Sequence, residues 1–166
     1  MAEQSVTHAT FAIERFYDAT PAQVFAAWAD PHAKARWFEG PAAWRKERFE
    51  FDFRVGGRER MISRPPAGPA HIFEAQYRDI VADRRIVYCC DMRLDDLRIS
   101  VSLATVEFLP AGRGTQLIFT EQGAFLDGYD DVAGREHGTA LLLDKLDAAL
   151  RQPKRAQVPA RRLARS

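Results

Sequence analysis

The stretch "DDVAGREHGTALLLDKLDAALRQ", residues 130–152, is the one long helical pattern in the chain, and what precedes it decides how that helix must be used. Leu141, Leu142, Leu143, Leu146 and Leu150 supply its apolar content. Asp130 and Asp131 stand where carboxylates cap free N–H groups and meet the positive end of the helix dipole. Gly134, Gly138, Leu142, Leu146 and Leu150 are each four apart, which predicts one row on the side facing the core. A glycine inside a helix costs about 0.5–1 kcal/mol against alanine, so two of them need a reason. Two reasons stay open: close packing against a bulky residue such as Phe119, or open volume between helix and sheet.

Upstream of this helix the pattern is one of strands. "TFAIERFYD", residues 10–18, reads as a first strand. Two short helices follow it. Thr20, Pro21 and Gln23 form a capping box with proline at the first helical position, and Asp30-Pro31 repeats the device before "HAKARWF". From Arg45 the period changes to two: Phe49, Phe51, Phe53 and Val55 alternate with charged residues, and Gly56-Gly57 offers a two-residue turn into "RERMISR". "HIFEAQYRDIV", "RIVYCCDM", "LRISVSLATVEF" and "TQLIFTEQG" complete the series. Short connections between them argue for an antiparallel sheet of about seven strands. Such a sheet buries its apolar face with one long helix only by curling round it, so the fold class is α+β.

At 166 residues with 46% hydrophobic and 28% charged, the chain suits a single globular domain. We expect residues 1–9 to be an extension, 10–152 the domain and 153–166 a basic tail without structure. The last sixteen residues hold six Lys+Arg and no acid, leaving 18 basic and 23 acidic groups in residues 1–150, a net of −5. That asymmetry makes nucleic acid an unexpected partner, since only the tail is basic. No apolar run reaches the length of a membrane span, and the first residues lack a signal-peptide layout, so a cytoplasmic location is expected. Cys89 and Cys90 are adjacent in a strand and point to opposite faces, which excludes a disulfide framework and a cysteine zinc site.

Residues 119–138 gather Glu121, Asp127, Asp130, Asp131, Glu136 and His137. "DGYDD" lacks the spacing of a calcium loop, and one histidine without a second at helical spacing is poor support for zinc, so no metal and no cofactor are expected. Glu121 and His137 remain as a pair that could reach one cavity mouth. They would serve either acid/base chemistry or a structural hydrogen bond.

"ATPAQVFAAWADPHAKARWF", "FDFRVGGRERM", "SLATVEF" with "GTQLIFTEQGAF", and "GREHGTALLLDKLDAAL" together resemble the SRPBCC or START-like superfamily. The nearest branch resembles the activator of heat-shock-protein ATPase homologues, close to polyketide cyclase/dehydratase-like proteins. The resemblance spans about residues 8–151. It implies a helix-grip (START-like, Bet v-like) fold whose apolar cavity lies between sheet and long helix. It also implies that Trp28, Trp37 and Phe38 close one end of that cavity. Strand phase adds Phe51, Phe53, His71, Phe73, Tyr77, Tyr88, Leu117, Phe119 and Glu121 to the pocket, with Phe125, Gly134, His137, Gly138 and Leu141 from the loop and helix. The superfamily has no universal catalytic residue to carry over. Three functions stay open: binding of a small hydrophobic or aromatic molecule, a cyclase or dehydratase using Glu121 and His137, and a protein-interaction module, homodimeric or co-chaperone-like.

Overall fold

The computed structural model describes residues 3–152; the basic stretch expected to lack structure lies outside them. The elements run β1 (Val6–Tyr17), α1 (Pro21–Ala29), α2 (Pro31–Trp37), β2 (Arg45–Phe51), β3 (Arg58–Arg64), β4 (His71–Val81), β5 (Arg85–Leu94), β6 (Leu97–Ala111), β7 (Gly114–Leu126) and α3 (Val132–Arg151). One antiparallel sheet holds all seven strands in the order β1-β7-β6-β5-β4-β3-β2. The strand expected to start at residue 10 begins at Val6, which pairs with Leu126, so part of the presumed extension belongs to the sheet.

The two short helices form where the caps predicted them. Thr20 Oγ1 accepts from the Gln23 backbone N–H and the Gln23 side chain accepts from Thr20 N–H, while Asp30 accepts from Ala33 N–H. β1 and β2 are the two opposite edges of the sheet. α1 and α2 therefore carry the chain from one edge of the sheet to the other, and their buried residues Val24, Phe25, Trp28 and Trp37 pack into the core.

The β2–β3 connection differs from the sequence reading. Gly56-Gly57 is not a two-residue turn: β2 ends at Phe51, β3 starts at Arg58, and Phe51 pairs with Glu59. Residues 52–57 make a wider loop whose Gly56 N–H donates to Tyr77 O at 2.8 Å and whose Gly57 O accepts from Tyr77 N–H at 3.0 Å. A Cβ on Gly57 would stand 2.1 Å from Asp52 O, so the glycine is required by the close approach of backbone to backbone. Phe53 lies in this loop, outside the strand, yet it still packs inward against Phe25 and Tyr77.

α3 is capped by Asp131, whose carboxylate accepts from Gly134 N–H at 2.5 Å. Leu143 and Leu146 are its fully buried residues, and the helix packs on β1, α1 and α2. Tyr17 ties β1 to it by donating its hydroxyl to Leu143 O at 2.9 Å.

Candidate functional site

α2 is a seven-residue helix, and a lysine three positions before Trp37 lies on the same side as that tryptophan. Lys34 accordingly points into the protein and is 2% exposed. Its ammonium stands 2.8 Å from both oxygens of Glu59 and donates to Oε2. Glu59, also 2% exposed, comes from β3 on the concave face. The Tyr77 hydroxyl accepts from Lys34 Nζ at 3.2 Å and donates to Glu59 Oε2 at 3.0 Å, closing a three-residue polar centre.

Aromatic rings enclose this centre. Nζ lies 5.5 Å from the ring centroid of Trp28, 4.7 Å from Phe38, 5.2 Å from Phe51 and 5.9 Å from Tyr77. Rings at that distance attract a cation and partly replace the water it has lost. Burial nonetheless pulls the Lys34 pKa below its ordinary value, with Glu59 opposing the shift. Burial pushes the Tyr77 phenol well above its own, and the neighbouring Glu59 carboxylate adds to that. One polar atom of the region, Trp28 Nε1, is buried without a hydrogen-bond partner.

A strip of half-buried side chains leads from this centre toward the surface. Phe49 pairs with Met61, Met61 with Phe73 and Phe73 with Met92, so the four lie side by side across four strands. Phe38 of the α2 end meets Phe73 edge-on at 5.2 Å. At the rim the ring of His71 meets that of Trp44 at a tilt of 57°, with centroids 4.5 Å apart. Partial burial holds the His71 pKa below the usual imidazole value, against the pull of Asp130.

A second polar centre joins the sheet to the start of α3. Arg135 donates to Glu121 at 2.9 Å, to Asp130 at 2.6 Å and to Ser100 at 2.6 Å, and its guanidinium lies 5.4 Å from the Phe125 ring. Ser102 donates to the same Glu121 at 3.1 Å. Two carboxylates and one guanidinium leave this cluster one negative charge in excess.

Most of the residues expected in the pocket share this interior. Trp28, Trp37, Phe38, Tyr77, Tyr88, Leu117, Phe119, Glu121 and Phe125 are buried, while Phe51, Phe53, His71 and Phe73 are half-buried. The helical members are not there. Gly134, His137 and Gly138 are exposed, Leu141 is 50% exposed, and a Cβ on Gly138 would meet nothing within 4 Å. His137 lines an open outer groove of about 470 Å³ between β1 and α3, with Ile13, Arg15 and Ala140. The expected pairing of Glu121 with His137 is corrected accordingly: the basic partner of Glu121 is Arg135. Residues two apart on a helix are about 200° apart round its axis, so Arg135 turning inward turns His137 outward.

Lys34, Glu59 and Arg135 were not among the expected site residues. The helical spacing of Lys34 to Trp37 and Phe38 was a usable signal for the first. Glu59 was hidden by the assumed turn, which places it opposite Arg54 in place of Phe51. Arg135 gave no signal of its own, being one charge in a polar helical turn.

Solved structures share this architecture. A protein from Rhizobium leguminosarum superposes with a TM-score of 0.85 at 44% identity, over 89% of this chain and 97% of that one. Protein Mll3558 from Rhizobium loti gives 0.80 at 47% identity, over 87% and 99%. Protein CV1439 from Chromobacterium violaceum gives 0.74 at 27% identity, over 87% and 98%. No curated protein matches the sequence. The profile of the family described as Activator of Hsp90 ATPase homolog 1-like protein matches residues 18–151, a span that includes both polar centres and all three helices. With that span, its helix-grip sheet and its long C-terminal helix, the chain belongs to the family of Activator of Hsp90 ATPase homolog 1-like proteins, a branch of the SRPBCC type.

Proposed function

We propose that the protein binds a small, mainly apolar molecule, hydrophobic or aromatic, between the concave sheet face and the helices. The molecule enters along the Phe49–Met61–Phe73–Met92 strip and reaches the Lys34–Glu59–Tyr77 centre. The observation that carries this reading is the buried ion pair within aromatic walls. A buried pair contributes little to stability, and apolar residues of the same volume often serve the fold as well or better. Apolar sites with a few placed polar groups are the usual form of a small-molecule pocket. Family membership supports the same reading, since SRPBCC-type proteins commonly bind hydrophobic molecules.

An acid/base enzyme built on Glu121 and His137 gains no support from the geometry. Glu121 is held by Arg135 and Ser102, and His137 faces a different groove.

Native mass spectrometry of gently purified protein, combined with titration of a fluorescent hydrophobic probe, tests the proposal. Met61→Trp adds bulk to the half-buried strip and should weaken probe binding about tenfold while the circular dichroism spectrum is kept. Ala133→Trp changes only the outer groove that Ala133 lines and should leave probe binding as it is. Loss of binding in Ala133→Trp with retention in Met61→Trp would move the site to the β1–α3 groove. A parent protein with neither a bound molecule nor probe affinity would end the proposal.

A further inference from the structure

The two edges of the sheet are built differently. β2 carries five charged residues among its seven, and its register shifts between Lys46 and Arg48. Shortness, charge and a bulge are the usual means of keeping an edge from pairing with another strand. β1 has none of them. It is twelve residues long, pairs with β7 from Val6 to Tyr17 without a register shift, and has no Asp, Glu, Lys or Arg from Val6 to Ile13.

The groups that this edge presents follow from the ladder. Asp127 N–H donates to Ser5 O at 2.9 Å, so Ser5 belongs to a hydrogen-bonded pair. Such pairs alternate along antiparallel strands, and Val6, His8, Thr10 and Ala12 therefore turn their N–H and C=O groups away from β7. Among the described residues nothing bonds to those groups. The second half of the edge is partly occupied: the Arg15 side chain donates to the outward Glu14 carbonyl and to Asp144 of α3.

An uncharged edge accepts a strand of like character, and β1 of a second copy is one. Paired antiparallel about a twofold axis at Ala9, the outward residues meet the same residues in reverse order, Val6 of one copy facing Ala12 of the other and His8 facing Thr10. Each side chain stays on its own face of the sheet, and Glu14 and Arg15 fall outside the seam. In a twofold contact a charge near the axis meets its own kind, so an uncharged seam is what self-association requires. The requirement is sharper in a chain whose residues 1–150 carry a net −5. The open groove beside Ala12, lined also by Ala133 and Ala140, leaves room for the residues that precede Val6 in the other copy. We infer that the free β1 edge is a homodimer seam, joining two seven-stranded sheets edge to edge.

Sedimentation velocity and amide hydrogen exchange on the full chain test this from low to high micromolar concentration. The parent should be a dimer at the high end, with the amides of Val6, His8, Thr10 and Ala12 protected in step with the dimer formed. Thr10→Pro removes an outward N–H without touching the β7 ladder. Thr10→Lys sets two ammonium groups diagonally across the seam, on a side chain that is exposed in the single subunit. Each should raise the dissociation constant about tenfold or more and release those amides, with the circular dichroism spectrum of the parent kept. Thr10→Lys disturbs no packing within the subunit, so it decides the matter if Thr10→Pro folds poorly. A parent that stays monomeric at the highest concentration, or a dimer that Thr10→Lys leaves intact, would overturn the inference. So would a monomer in which the four amides are protected, because another part of the same chain would then hold the edge.

Discussion

At the residue scale the unusual feature is an ammonium and a carboxylate withdrawn from water together. Lys34 and Glu59 are both 2% exposed, and Tyr77 bonds to each of them. Removing one partner leaves the other charge stranded, so Lys34→Met or Glu59→Leu alone should each cost about 3–5 kcal/mol. Replacing both removes the desolvation penalty along with the attraction, and the double variant should be closer in stability to the parent than either single one. Urea denaturation gives the four values of this cycle, with an unchanged slope showing that the denatured state is the same. If the two single effects simply add, the pair is not coupled and this description of the centre is wrong. The same residues show why the sequence concealed the site. Lys and Glu are almost never fully buried unless paired, and pairing is a property of two distant segments, here 25 residues apart. Neither residue on its own announces the other.

At the element scale α3 shows how spacing can mislead. A row of residues four apart advances about 40° round the helix at each step, so Gly134, Gly138, Leu142, Leu146 and Leu150 sweep through about 160° from first to last. Leu146 at the fourth position is buried, Leu142 and Leu150 are half-buried, and the two glycines have turned out to solvent. The face that stays inward advances by steps of three or four through Arg135, Thr139, Leu142 or Leu143, Leu146 and Leu150. Its first two members are polar, which is why the apolar pattern did not reveal it. The glycines also differ from each other. A Cβ at Gly134 would lie 3.1 Å from the capping carboxylate of Asp131, whereas one at Gly138 would meet open space. Gly138→Ala should therefore stabilise the protein by about 0.5–1 kcal/mol, and Gly134→Ala should gain less or lose, because it disturbs a cap worth about 1 kcal/mol. Thermal melts of the two variants measure the difference. A lower melting temperature for Gly138→Ala would show that this position is packed after all.

At the scale of the molecule the fold was readable because its parts constrain one another. Caps located the short helices, period-two runs located the strands, and one long helix against many strands left curling as the way to bury the sheet face. Strand phase also found most of the interior, since one correctly phased residue carries its whole strand to the same face. What failed was whatever depended on register between segments, as at residues 52–57. The assembled interior has a consequence for behaviour in base. Tyr17, Tyr77 and Tyr88 are all buried phenols, and burial raises the pKa of each above the ordinary tyrosine value. Burial also raises that of the Cys90 thiol. For such groups the native state keeps its proton while the unfolded chain gives it up, so their contribution to stability is whole below the unfolded pKa and lost as pH rises past it. The loss begins near pH 8.5 for the thiol and near pH 10 for the phenols. Lys34 has the opposite sign: its folded pKa is lowered, so the cost of its buried charge is relieved as pH climbs toward about 10.4. Above that pH the Lys34 contribution no longer changes while the phenols' loss continues, so the net effect there is destabilising. Circular dichroism and phenolate absorbance followed together should show the three buried tyrosines ionising in the same steep step in which the fold is lost, above pH 10. Ionisation of all three in a gradual titration with the spectrum of the native fold unchanged would mean that their hydroxyls are open to solvent, and that they are not buried as described.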